Sequence, residues 1–134
     1  MSKRQTNGTR YVLAAARAAS AKKAEDIVIL DVSKQLVITD HFVICSGNTD
    51  RQVKTIADEV ERLLREECSI KPYRREGQVE ARWILLDYVD FVVHVFQKED
   101  REYYDLERLW SDAPRVKQPQ TGGGVDEPAA AEAT

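Results

Sequence analysis

Residues 26–31 (DIVILD) are an almost unbroken apolar run between acids, the pattern of a strand buried on both faces. A second such run, residues 41–46 (HFVICS), stops at Gly47 and Asn48, which break it. Ahead of both, Val12, Leu13, Ala16 and Ala19 recur at near-helical spacing and predict a first helix over residues 9–23. Residues 32–39 (VSKQLVIT) predict a turn leading into the second strand. After Asn48 the period changes. Val53, Ile56, Ala57, Val60, Leu63 and Leu64 form one helical stripe, with Asp58, Glu59, Glu61 and Arg62 outside it. Thr49 and Gln52 have capping-box spacing at the start of this helix, which should end near Glu67.

Residues 70–75 (IKPYRR) predict a short edge strand, because Pro72 has no N–H for a central ladder. Residues 82–96 (RWILLDYVDFVVHVF) predict a β-hairpin turning between Asp87 and Asp90. With Tyr88 and Val89 as a two-residue loop, Asp87 pairs with Asp90, Leu86 with Phe91, Leu85 with Val92, Ile84 with Val93 and Trp83 with His94. Ile84, Leu86, Phe91, Val93 and Val95 then share a core face. Trp83, Leu85, Asp87, Asp90, Val92 and His94 share the other. Residues 99–110 predict a last helix, with acids in its first turn and Tyr103, Leu106, Leu109 and Trp110 on one face. From Ala113 the composition turns to Pro, Gln, Gly and Ala without periodicity. The expected organisation is a flexible N-terminus over residues 1–8, one α/β domain over 9–112 and a disordered C-terminal tail over 113–134.

The 134 residues suffice for one domain with a real hydrophobic core. Cys45 and Cys68 form no C-x-x-C pair and no metal-ligand spacing with His41 or His94, so they read as reduced thiols. No metal and no cofactor are expected. No apolar run approaches the length of a membrane span, and no membrane contact is expected. The basic, Ala-rich start has the look of a transit peptide, but an ordinary first helix accounts for it better.

Charge is unevenly spread. Residues 1–23 hold six basic side chains and no acid, whereas residues 24–112 hold 12 basic and 20 acidic ones, a net charge of −8. A body of that sign repels phosphate backbones, which argues against direct nucleic-acid binding, and it suits a basic protein surface.

Catalytic motifs are missing from the sequence. It has no G-x-G-x-x-G, no Walker sequence and no G-x-S-x-G around Ser46. Cys45 and His41 lie four residues apart on one strand, too far for a thiol–imidazole pair. The hairpin is the one constellation that stands out. Two Asp residues beside a Trp and a His are not an ordinary core layer. Either His94 stacks on Trp83 beneath a helix, or the face is a mixed apolar and acidic surface that receives a partner. The candidate partner-binding residues are Trp83, Leu85, Asp87, Asp90 and His94.

DVSKQLVITDHFVICSGN, the Glu76-Gly77 pair, WILLDYVDFVVHVF and the closing YYDLERLW together resemble the ribosomal silencing factor family, also called Iojap-like proteins. The resemblance covers roughly residues 10–112, in order and at the family's spacings. It implies a mixed central β-sheet flanked by helices, close in shape to a minimal nucleotidyltransferase fold. It also implies docking on large-subunit ribosomal protein fourteen, so that the subunits cannot join and translation is repressed, and a tendency to homodimerise. A cytoplasmic bacterial protein is expected rather than an organellar one. The rival reading is a degenerate nucleotidyltransferase-like enzyme. It would need a Gly-Ser turn and two carboxylates at i and i+2, but Gly47 precedes Asn48, and Asp87 and Asp90 stand at i and i+3. One position departs from the family pattern. Many relatives have Gly where this chain has Val89, and a tight hairpin turn asks there for a backbone that β-branched residues resist.

Overall fold

The computed structural model describes residues 2–119. In chain order its elements are α1 (Ser2–Ala21), β1 (Glu25–Asp31), β2 (His41–Gly47), α2 (Asp50–Cys68), β3 (Arg74–Glu76), β4 (Trp83–Asp87), β5 (Phe91–Gln97), α3 (Lys98–Tyr104) and α4 (Leu106–Leu109). The strands form one sheet in the order β1-β2-β5-β4-β3. Only the central β2–β5 contact is parallel, and the other three are antiparallel. A parallel pair cannot be joined by a tight turn, and here α2, β3 and β4 intervene between its two strands. This is the mixed, helix-flanked sheet that the resemblance implies.

α1 and α2 cover one face. The alanines of α1 (Ala15, Ala16, Ala18, Ala19) are small enough to bring it close to α2, whose Val53, Ile56, Ala57, Val60 and Leu64 are buried in the same core. Ile84, Leu86, Phe91, Val93 and Val95 of the hairpin complete that core, on the face that alternation assigns to them. α2 is fixed at both ends. Thr49 Oγ1 accepts the Gln52 N–H at 3.0 Å, and Gln52 Oε1 accepts the Asn48 N–H at 2.7 Å. The Gln52 amide also donates to the carbonyl oxygens of Lys22 and Lys23, so one capping side chain holds two helix ends together. Ser69, at φ 59°, closes the helix by donating its N–H to Arg65.

The other face carries a smaller core of Val28, Leu30, Val32, Phe42, Ile44, Phe96 and Ala113. The predicted last helix is broken in two at Asp105, which adopts φ 50° and donates its N–H to Arg101. The break turns Tyr103 and Leu109 out to solvent, while Leu106 and Trp110 pack on the sheet. Arg101 is buried at the junction. It pairs with both carboxylate oxygens of Glu107 at 3.1 and 3.0 Å, and it donates to Ser46 Oγ and the Glu25 carbonyl. Arg101 therefore binds α3, α4, β1 and β2 together.

The ends of the domain differ from the expected boundaries. α1 begins at Ser2, so part of the expected flexible N-terminus is helical. Residues 113–119, assigned to the tail by composition, form a strap along the free edge of β1. The Asp31 N–H donates to the Pro114 carbonyl and the Val116 N–H to the Ile29 carbonyl, both at 2.8 Å, and Gln118 Nε2 reaches the Ile27 carbonyl at 2.9 Å. A segment held by backbone bonds needs no apolar periodicity, so composition could not reveal it. The rest of the expected tail, residues 120–134, lies outside the described residues. Truncation after Asp112 is expected to lower folding stability by about 2–4 kcal/mol, since each lost bond is worth about 1 kcal/mol and the packing of Ala113 and Val116 goes with them. Urea denaturation of the full and truncated chains checks this, and coincident curves would show that the strap bears no load.

β3 is shorter than predicted and starts later. Pro72 lies ahead of it, and the left-handed cap at Ser69 spends residues 70–73 on the approach.

Candidate functional site

The hairpin turns on Val89 and Asp90. The Tyr88 N–H donates to the Phe91 carbonyl and the Asp90 N–H to the Tyr88 carbonyl, both at 2.9 Å. The latter closes a three-residue turn around Val89, whose φ is +76°. Asp87 Oδ1 accepts the Val89 N–H at 2.8 Å and holds the turn from the strand side. The register is therefore two residues away from the predicted one. Trp83 faces Phe96, Ile84 faces Val95, Leu85 faces His94, Leu86 faces Val93 and Asp87 faces Val92. An even shift leaves every strand side chain on its predicted face but changes its partner. Asp90, predicted to oppose Asp87, instead sits in the turn, where its carbonyl accepts the Asp40 N–H at 2.8 Å. Because an L-residue at positive φ pays about 1–2 kcal/mol, Val89→Gly should raise stability by about 1 kcal/mol after glycine's own entropy loss. An unchanged melting temperature would count against strain at this turn.

The face opposite α1 and α2 divides along the hairpin. At the Trp83–Phe96 end it is roofed. Trp83 stacks on Phe96 with centroids 4.7 Å apart and meets Tyr104 of α3 at 4.9 Å. Trp83 Nε1–H donates to His94 Nδ1 at 3.1 Å. The indole N–H can only donate, so Nδ1 is the unprotonated nitrogen of a neutral imidazole, and the ring proton sits on Nε2. Phe42 packs its edge against His94 at 4.9 Å. Burial among these rings pushes the His94 pKa down to about 4. Trp83 and His94 thus come together as sequence suggested, but as a hydrogen-bonded pair with rings tilted by 42° rather than stacked, and the stacking partner of the indole is Phe96.

At the Asp87–Val92 end the sheet is open. A cleft of about 370 Å³ lies there, lined by Leu85, Val92 and His94 from the hairpin, Phe42 from β2, Leu36, Ile38 and Thr39 from the 32–40 loop, and Tyr73 and Arg74 from the β3 edge. Asp87 and Val89 complete its lining. The walls are apolar. On the rim, Ile38 is 79% and Tyr73 77% exposed, and Val37 stands wholly in solvent. Arg74 and Asp87 make a long ion pair at 3.4 Å beside them. Asp31 shapes the loop by accepting the Ser33 N–H and hydroxyl, and the Val32 N–H donates to the Asp40 carbonyl across the loop's neck.

Leu85, Asp87 and His94 of the predicted set therefore share one cleft, while Trp83 lies beneath the roof and Asp90 in the turn. Sequence reasoning missed the loop and edge contributors. Three apolar residues in a segment read as a turn, Leu36, Val37 and Ile38, were the available signal. Cys45 is buried in the α1/α2 core, where desolvation pushes its pKa up to about 12 and leaves an inert thiol. Among the described residues no group of three or more His, Cys, Asp or Glu could hold a metal ion, and no helix is long and apolar enough to cross a membrane.

The family model described as "Ribosomal silencing factor during starvation" matches residues 5–134. The chain is 49% identical over 100 residues to the ribosomal silencing factor of Bacillus subtilis (strain 168), covering 75% of this chain and 84% of the relative. A mouse protein named "Mitochondrial assembly of ribosomal large subunit protein 1" is 32% identical over 92 residues, which cover 67% of this chain and 40% of that protein. A crystal structure of a Chromobacterium violaceum protein superposes with a TM-score of 0.74 at 32% identity, covering 90% of this chain and 96% of that one.

Proposed function

The chain belongs to the ribosomal silencing factor family, and from that premise we propose that it binds the large ribosomal subunit through ribosomal protein fourteen and keeps the small subunit from joining. Its role is regulatory rather than catalytic. The observation that carries the reading is the open end of the hairpin face, an apolar cleft with exposed Ile38 and Tyr73 on its rim, set in a body of net charge −8. A desolvated apolar centre with a charged rim is the anatomy of a protein interface, and the acidic body suits a basic partner.

Leu85, Val92 and Tyr73 form the apolar centre of the proposed contact, with Asp87 and the Asp90 turn at its rim. Trp83 supports it from below, and His94 forms part of the cleft wall. Asp87 meets a lysine or arginine of the partner only by releasing Arg74, an exchange that favours selectivity over affinity.

The protein should inhibit a reconstituted translation system strongly when added before the subunits join, and several-fold less afterwards. Equal inhibition of preassembled ribosomes would refute the blocking mechanism. The exposed apolar rim also supports self-association, and sedimentation at micromolar concentration should detect a homodimer. The cytoplasm, where ribosomes work, is the proposed location.

A further inference from the structure

Two polar atoms on the walls of the cleft have no partner among the described residues: the hydroxyl of Thr39 and Nε2 of His94. Both residues line the cleft, and both are buried, at 5% exposure each. Buried polar groups in native proteins are almost always satisfied, so two orphans on one cleft ask for an explanation. Trp83 fixes the chemistry of one of them. By donating to Nδ1 it leaves Nε2 as an N–H, which must donate. The Thr39 hydroxyl can donate or accept. Both can therefore donate to an oxygen acceptor in the cleft.

We propose that the cleft takes one neutral, oxygen-bearing side chain of the ribosomal protein, a hydroxyl or an amide, whose oxygen is held by His94 Nε2–H and the Thr39 hydroxyl. This rests on the reading above that the partner docks on this face.

The surroundings select that class. An ammonium or guanidinium offers no acceptor to His94. A carboxylate would enter beside Asp87 on an acidic body. The apolar walls of Leu36, Phe42, Leu85 and Val92 favour an uncharged stem. In the free chain neither orphan atom touches solvent, so the incoming side chain parts the cleft on its loop side, where Val37 and Ile38 stand in water and have little packing to lose.

The test uses the full chain and purified large ribosomal subunits in a co-sedimentation titration, alongside thermal melts. Thr39→Val keeps the side-chain shape and removes the hydroxyl. Its melting temperature should hold or rise, because replacing an unsatisfied buried hydroxyl relieves a desolvation cost. Its affinity for the subunit should fall at least fivefold. Thr39→Ser, which keeps the hydroxyl, should bind within twofold of wild type. The proposal is overturned if Thr39→Val binds like wild type, or if Thr39→Ser falls as far as Thr39→Val. Failure of the wild-type protein itself to bind large subunits would remove the docking reading, and this inference with it.

Discussion

Trp83→Ala should destabilise the fold by about 3–4 kcal/mol, as the loss of a packed aromatic does. The indole stacks on Phe96, packs at a tilt against Tyr104 and donates to His94 Nδ1, so its removal opens a cavity between β4 and α3 and strands a buried acceptor. Trp83→Phe keeps most of the stacking and loses the hydrogen bond, for about 1–2 kcal/mol. The two variants measured by chemical denaturation separate packing from polarity. The sequence alone offered Trp83 as a partner-binding candidate, and in the fold Tyr104 of α3 packs against it. In the proposed contact, apolar anchoring falls to Leu85, Val92 and Tyr73 on the open end. A Trp83→Ala protein of native stability that bound the large subunit weakly would return Trp83 to the surface.

Acidification below about pH 6.5 should destabilise the protein through His94. In the fold, burial pushes the His94 pKa down to about 4, against an ordinary value of 6.5. As pH falls, the unfolded chain takes up the proton first, so protonation favours unfolding. The stability associated with neutral His94 is complete above about pH 6.5 and is lost progressively towards pH 4, to a total of about 3 kcal/mol. Urea midpoints between pH 7.5 and 5 isolate the upper part of this window. His94→Gln keeps an acceptor for Trp83 and cannot titrate, so it should flatten the slope. A slope equal to wild type in His94→Gln would show that His94 is not the responsible group.

These two side chains also mark how far a sequence could be read. Alternation along residues 82–96 sorted every strand side chain of the hairpin onto the correct face, because a half-buried strand must obey period two. The pairing across the hairpin was out of reach. It depends on a three-residue turn with Val89 at φ +76°, a conformation its β-branched side chain disfavours and that only the Asp87 bond and the surrounding contacts make tenable. α2 was legible from Thr49 to its end, since a capping side chain and an apolar stripe are both local signals. The break at Asp105 was not, because the buried Arg101–Glu107 pair that accompanies it has partners on two distant strands. The candidate site divides the same way. Leu85, Asp87 and His94 belong to one alternating segment, whereas Thr39, Phe42 and Tyr73 reach the cleft from other parts of the chain. Their convergence is a property of strand order.

The strap has a consequence for the order in which the protein can be completed. Gln118 bonds to Ile27 across 91 positions of sequence. β1 is among the first elements to emerge during synthesis, and the segment that covers its edge is the last described. Until then DIVILD presents a row of unpaired amides and carbonyls on an apolar strand, the kind of edge that recruits another chain. Long-range closure of this sort is also slow, because the entropy of the intervening loop is lost before the contacts form. A nascent chain stalled short of residue 113 would therefore be the most aggregation-prone form of the molecule. Emergence of residues 113–119, rather than collapse of the core, would be the moment at which it becomes safe to accumulate.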